Sequence, residues 1–173
     1  TLEDGTSKKQ FKELLFCLDK LKDTNMIFTL SNSDTSGRII NNLIQRYVKD
    51  HSSNTKFYTS MGQLNYLSSL QFVDGIVGNS SSGLLEAPTL RIGTVNIGDR
   101  QKGRLKSQSV IDCKPERKEI IYNLKKILIS KKNFKFKNPY GRGGASNKII
   151  RVLENLNYNN LLKKSFYNNL TKI

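Results

Sequence analysis

The sequence predicts an α/β domain: a parallel sheet with helices on both faces. Three observations carry this. Short apolar runs of strand type alternate with amphipathic helical stretches. Several runs read as fully buried strands, as strands of a doubly covered sheet do. Polar loops rich in helix N-cap residues follow the strands, at the carboxyl edge where ligands of such sheets bind. A length of 173 residues suits one domain with a C-terminal extension.

The elements follow in chain order. Ser7 to Lys22 reads as an amphipathic helix, with Phe11, Leu14, Leu15, Leu18 and Leu21 at helical spacing and lysines opposite. Met26 to Leu30 is a buried strand feeding the polar loop Ser31 to Gly37. Ile39 to Asp50 is a second helix, and His51 falls at its end as a surface residue rather than a catalyst. Lys56 to Thr59 is a strand, and Gln63 to Leu70 is a short helix containing Tyr66. Phe72 to Val77 is a strand, followed by Gly78-Asn79-Ser80-Ser81-Ser82-Gly83-Leu84-Leu85-Glu86-Ala87-Pro88, around which the chain is organised. Gly93 to Gly98 is a strand running into the basic loop Asp99 to Arg104. Gln108 to Cys113 is a further strand, and Pro115 opens a helix through Leu128. Lys131 to Lys137 reads as a basic linker, Asn138 to Ser146 as a Gly-rich loop and Asn147 to about Asn155 as a final helix. The Gly-rich loop does not match the dinucleotide fingerprint, and no phosphate-binding Walker motif exists. The domain is placed at 1–155, with 156–173 as a helical tail.

The stretch from Gly78 to Pro88 has the chemistry of a phosphate site. A strand, a small polar turn and a helix N-terminus present backbone N–H groups and hydroxyls where the helix dipole is positive. Ser80, Ser81 and Ser82 add donors without bulk, and Gly83 permits close approach of a ligand or of the chain itself. Glu86 cannot hold a phosphate, but its carboxylate suits the two hydroxyls of a ribose. The same residues also fit a serine-rich cap followed by a solvated glutamate. Pro88 limits or kinks the helix.

Composition narrows the function classes. Net charge is +15, from 29 Lys and Arg against 14 Asp and Glu. A polyanion partner is one account. The basic residues are spread along the chain, so a solvated basic surface is preferred, and no nucleic-acid motif is present. No apolar run reaches membrane-spanning length. No signal peptide is visible, and the chain starts at Thr1 without Met, so it reads as a fragment of a cytoplasmic protein. Cys17 and Cys113 are expected to be buried thiols rather than a disulfide. With one His and two distant Cys, no metal site and no other cofactor is expected.

Three stretches carry a family resemblance: Gly78 to Pro88, then Asn96-Ile97-Gly98-Asp99-Arg100-Gln101-Lys102-Gly103-Arg104, then Asn138-Pro139-Tyr140-Gly141. In order and spacing they resemble the UDP-N-acetylglucosamine 2-epimerases, the middle one most closely the hydrolysing branch of sialic acid synthesis. The likeness implies a Rossmann-like C-terminal domain, one half of a GT-B two-domain architecture. It implies UDP and UDP-N-acetylglucosamine as ligands, converted through 2-acetamidoglucal to N-acetylmannosamine and UDP. Ser80, Ser81 and Ser82 would bind the diphosphate beside Gly83, Glu86 the ribose, and Arg100 would lie near the phosphates. Tyr66 matches an aromatic residue that flanks the uracil, or is a core aromatic. Gln101, Arg104, Asn32 and Asp34 are weaker candidates for the cleft, with surface or loop-capping roles as the alternative.

The sequence also departs from the family. Arg142 stands where the family often has Asp. The family places a functional His in a Phe-His-Pro segment just ahead of Thr1-Leu2-Glu3, and this chain does not contain it. The acid–base carboxylates of the N-terminal domain are missing too. No catalytic residue is therefore assigned in this chain. Its partner would be the N-terminal domain of the same protein, in a full-length homo-oligomer. The first, central strand of the sheet reads as missing, which should leave unpaired edges or a gap and make the isolated chain unstable or prone to associate. Two further readings stay open: a GT-B glycosyltransferase and a basic polyanion-binding module.

Overall fold

A computed structural model describes residues 7–31, 36–129, 134–141 and 143–159. The chain divides into two compact units, Thr1–Gly141 and Arg142–Ile173, each taken by itself. The last helix, although amphipathic in sequence, buries none of its residues.

The first unit alternates as expected: α1 (Ser7–Leu18), β1 (Met26–Thr29), α2 (Gly37–Asp50), β2 (Thr55–Tyr58), α3 (Gly62–Leu70), β3 (Gly75–Gly78), α4 (Ser82–Leu85), β4 (Gly93–Ile97), β5 (Val110–Cys113) and α5 (Arg117–Ile129). The second unit holds α6 (Ala145–Glu154). Every strand pairing is parallel. Among the described residues the strands form two sheets, β1-β2 and β3-β4-β5.

Strand alternation explains the layers. On β4, Val95 and Ile97 join Leu14, Cys17, Leu18, Tyr47, Ile120, Leu124 and Ile127 in one buried cluster. That cluster lies under α1, α2 and α5. Ile76 of β3 faces the other way, into a cluster of Leu70, Ala87 and Ile92 with Tyr66 and Leu67 packed on it. The sheet therefore has helices on both sides. A Cβ on Gly75 would meet Ile127 at 2.6 Å, so this strand residue is small because α5 presses on it.

Four boundaries differ from the sequence reading, each for a local reason. Phe72 is 88% exposed and is not in β3; its N–H bonds to Ser69 O at 3.0 Å, so it belongs to the tight turn that follows α3. The first helix stops at Leu18 because tighter turns follow, Lys20 N–H to Cys17 O and Leu21 N–H to Leu18 O. Pro115 precedes α5 by two residues instead of opening it. Residues 134–137 are a packed strap, not a free linker: Phe134 joins the main core, and Ser107 Oγ donates to Lys135 O at 3.1 Å.

Cys17 and Cys113 are buried free thiols, as expected. Burial is the main reason both thiols are held above their ordinary range. His51 ends α2 with its ring stacked on Tyr47 at 4.2 Å and Nε2 3.3 Å from Asp19 Oδ1, a structural helix-end role. Burial first, then Asp19, raise the Tyr47 hydroxyl well above the usual tyrosine range. No described helix is long and apolar enough to cross a membrane.

Candidate functional site

β3 and β4 are adjacent parallel strands, so the loops after Gly78 and Ile97 leave the same edge of the sheet. Gly98 ends β4 with φ +77, a conformation that suits glycine and turns the chain into the basic loop. Gln101 is 3% exposed, and its Nε2 donates to Asn79 O at 2.8 Å. This bond ties the basic loop to the serine turn. The surface alternative for Gln101 is thereby corrected: it is buried under the turn because its amide supplies a donor to a loop carbonyl. Arg100 and Arg104 are exposed on the same loop.

Within the turn, Ser80 Oγ accepts from Ser82 N–H at 3.3 Å. Tyr66 OH and Ser82 Oγ share a hydrogen bond of 2.6 Å. Tyr66 has the core-aromatic placement, since its ring packs on the Leu70-Ala87-Ile92 cluster, and its hydroxyl also reaches the turn. Gly83 is buried, and a Cβ there would meet Thr94 Cγ2 at 2.5 Å. Thr94 Oγ1 donates to Gly83 O at 3.0 Å. The chain itself thus makes a close approach at Gly83.

The helix after the turn is shorter than the sequence suggested. α4 has 4 residues, and Pro88 lies buried just beyond it. One turn supplies little macrodipole. The donors at this edge are therefore local backbone N–H groups and serine hydroxyls rather than a long helix's dipole.

Glu86 follows α4 directly and is half-buried. Its Oε2 is buried without a hydrogen-bond partner among the described residues, as are Gln101 Oε1 and Asn96 Oδ1. Buried acceptors are normally satisfied, so such atoms mark places where a donor is wanted. The solvated-glutamate alternative does not fit this placement.

The Asn-Pro-Tyr-Gly motif acts on the same turn. Asn138 Nδ2 donates to Leu85 O at 2.8 Å and to Thr89 Oγ1 at 2.7 Å. Its Oδ1 accepts from Tyr140 N–H at 2.9 Å, and Tyr140 OH donates to Leu105 O at 3.0 Å. Sequence reasoning missed this clamp; the signal was the motif itself, whose residues had no assigned partner.

Asn32 and Asp34 lie outside the described residues. The base of their loop is held by α2, with Ser31 N–H donating to Asn41 Oδ1 at 2.9 Å. At the ends of β4 and β5, a cavity of about 380 Å³ is lined by residues including Asn96, Lys102, Lys106, Asp112 and Glu119. Asn96 Nδ2 donates to Asp112 Oδ1 at 2.8 Å, and Lys106 pairs with Asp112. Burial acts to raise the Asp112 carboxyl, but the bonds from Lys106 and Asn96 outweigh it and hold the group below its ordinary value.

Comparison with known proteins agrees with this geometry. The family profile described as UDP-N-acetylglucosamine 2-epimerase matches residues 1–154. A GDP/UDP-N,N'-diacetylbacillosamine 2-epimerase (hydrolyzing) of Campylobacter jejuni is 39% identical over 96% of this chain and 44% of its own length. A polysialic acid biosynthesis protein of Escherichia coli is 33% identical over 96% of this chain and 44% of its own length. This chain thus spans less than half the length of these relatives. In fold it is similar to the Methanocaldococcus jannaschii UDP-GlcNAc 2-epimerase solved in complex with UDP-GlcNAc and UDP, with TM-score 0.69 and 22% identity, over 84% of this chain and 40% of that one. The match through residue 154 shows that this chain belongs to the UDP-N-acetylglucosamine 2-epimerase family.

Proposed function

We propose that this chain is the UDP-binding part of a hydrolysing UDP-sugar 2-epimerase. The observation that carries the reading is Glu86: a carboxylate oxygen buried without a partner at the end of a serine turn, beside a loop carrying Arg100. The two hydroxyls of a ribose satisfy such a carboxylate. Ser80, Ser81, Ser82 and Arg100 then face the diphosphate, and the Tyr66 ring flanks the uracil.

The division of labour follows from the chemistry. A base removes the C2 proton of UDP-N-acetylglucosamine while UDP leaves C1, giving 2-acetamidoglucal. Water adds, and N-acetylmannosamine results. Negative charge grows on the departing phosphate, so preorganised hydroxyls and a guanidinium stabilise the transition state. The proton transfers at C2 need positioned acid–base groups. We assign those to the rest of a longer cytoplasmic, homo-oligomeric enzyme, so this chain alone binds UDP without turnover. A diacetylated bacillosamine sugar is the second candidate substrate, because the Campylobacter jejuni relative is named for it.

Titration calorimetry with UDP at two salt concentrations tests the reading on wild type and Glu86→Ala. Loss of the ribose acceptor is expected to weaken binding about tenfold or more at both salts. UDP binding that is indifferent to Glu86 but collapses with salt would turn the reading toward a general polyanion surface.

A further inference from the structure

The serine turn is held at both ends by side-chain amides from distant parts of the chain. Gln101 grips its first carbonyl, Asn79 O, across 22 residues. Asn138 grips Leu85 O, the carbonyl just before Glu86, across 53 residues. Between these two points lie all three serines. We infer that Gln101 and Asn138 are positioning residues for the nucleotide. Together they fix the separation between the serine hydroxyls and the Glu86 carboxylate, and Gln101 also sets the Arg100 loop against them. The inference rests on the UDP-binding reading above.

The physical argument has three parts. First, Asn79 O lies in the loop after β3 and Leu85 O is the last carbonyl of the one-turn α4, so each amide acts at an end of the turn rather than inside a regular element. Second, Gln101 is 3% exposed while its Oε1 stays unpartnered. Leaving a buried acceptor unsatisfied is unfavourable, which makes packing alone a poor reason for a glutamine here. Its Nε2 has a defined task, the bond to Asn79 O at the start of the turn. Third, α4 is a single helical turn and has little intrinsic rigidity. The turn needs outside support to be preorganised, and preorganisation is what converts hydroxyls into tight binding.

The test uses Gln101→Glu in the full chain. An ionised glutamate at 101 has no donor and turns an oxygen toward Asn79 O. A protonated one regains an O–H donor. Burial against a carbonyl oxygen raises a glutamate carboxyl at this position above its ordinary value, so UDP affinity relative to wild type, each measured at the same pH, is expected to fall about tenfold or more at about pH 8 and to recover as the pH falls towards about 5. Loss of packing alone would give the same ratio at both pH values, and that result would overturn the inference. Asn138→Asp, at a half-exposed position, is read at about pH 8 alone should Gln101→Glu fail to fold: it keeps the acceptor for Tyr140 N–H and removes only the donor, so UDP affinity is expected to fall about tenfold, and unchanged affinity would overturn the inference. Wild type that binds UDP while both variants bind it equally well at about pH 8 overturns the clamp alone. Wild type that binds no UDP overturns the nucleotide reading, and the clamp's role falls with it.

Discussion

The two sheets of this chain are built from the same βα units and have different fates. In the three-stranded sheet every residue of β4 is buried, with α5 on one side and α4 on the other. In the two-stranded sheet the register places Ile27 with Lys56, and Thr29 with Tyr58, on one face. That face is open among the described residues, with Ile27 53% and Tyr58 42% exposed. A doubly covered sheet can hold polar groups such as Thr94 and Asn96 in fixed positions beneath its loops. A two-stranded sheet with one bare face is marginal by itself. The difference teaches where a site can be built: the turn with clamped carbonyls and partnerless buried acceptors rises from the rigid sheet.

The sharpest way to test this contrast is a pair of matched truncations. Ile127 is 1% exposed and fills the space over Gly75 and Gly93. Ile127→Ala is expected to cost about 2–5 kcal/mol, because the glycines beneath offer no side chain to close the cavity. Ile27→Ala, on the open face, should cost no more than about 0.5 kcal/mol. Chemical denaturation of the two variants measures both. Equal costs would mean that the two-stranded sheet is covered in solution by something the contrast omits.

Much of this contrast was legible in the sequence, and its limits are instructive. The alternation of elements and the serine turn were readable because hydrophobic period and turn residues are local signals. Phe72 misled because an aromatic residue before Val73 looks like a strand start, while it belongs to the tight turn that follows α3. Gly83 was read as a place of close approach, but only the packing shows that Thr94 fills it. The clamps by Gln101 and Asn138 were invisible because they join residues 22 and 53 positions apart. No periodicity or propensity encodes such a pairing.

A smaller effect probes the seam between the rigid sheet and the turn. Thr94 is 2% exposed, and its hydroxyl donates to Gly83 O. Thr94→Val keeps the shape that Gly83 packs against and removes the donor. The expected loss is about 1–2 kcal/mol of stability by thermal or denaturant unfolding. A variant as stable as wild type would show that Gly83 and Thr94 are joined by packing alone. The turn would then owe its position to the two amide clamps.

The smallest expected effect lies at the edge of the same sheet, at Asp112 on β5. Its carboxyl is held below the usual range by Lys106 and Asn96, which overcome the opposing influence of burial. A carboxylate whose folded value is depressed adds stability above its unfolded pKa. That contribution is lost as pH falls through the depressed folded value. Asp112→Asn keeps an acceptor for Asn96 Nδ2 and removes the charge that pairs with Lys106. The variant should therefore be slightly less stable than wild type near neutral pH, and the two should converge in acid. The Asp112 side chain is 56% exposed, so solvent screening holds the difference below about 1 kcal/mol, and added salt should shrink it further. Thermal melts of both proteins across the acid range measure it. A gap that persists in acid would assign the effect to the geometry of the Asn96 bond rather than to charge, and the edge of the rigid sheet would then depend on shape alone.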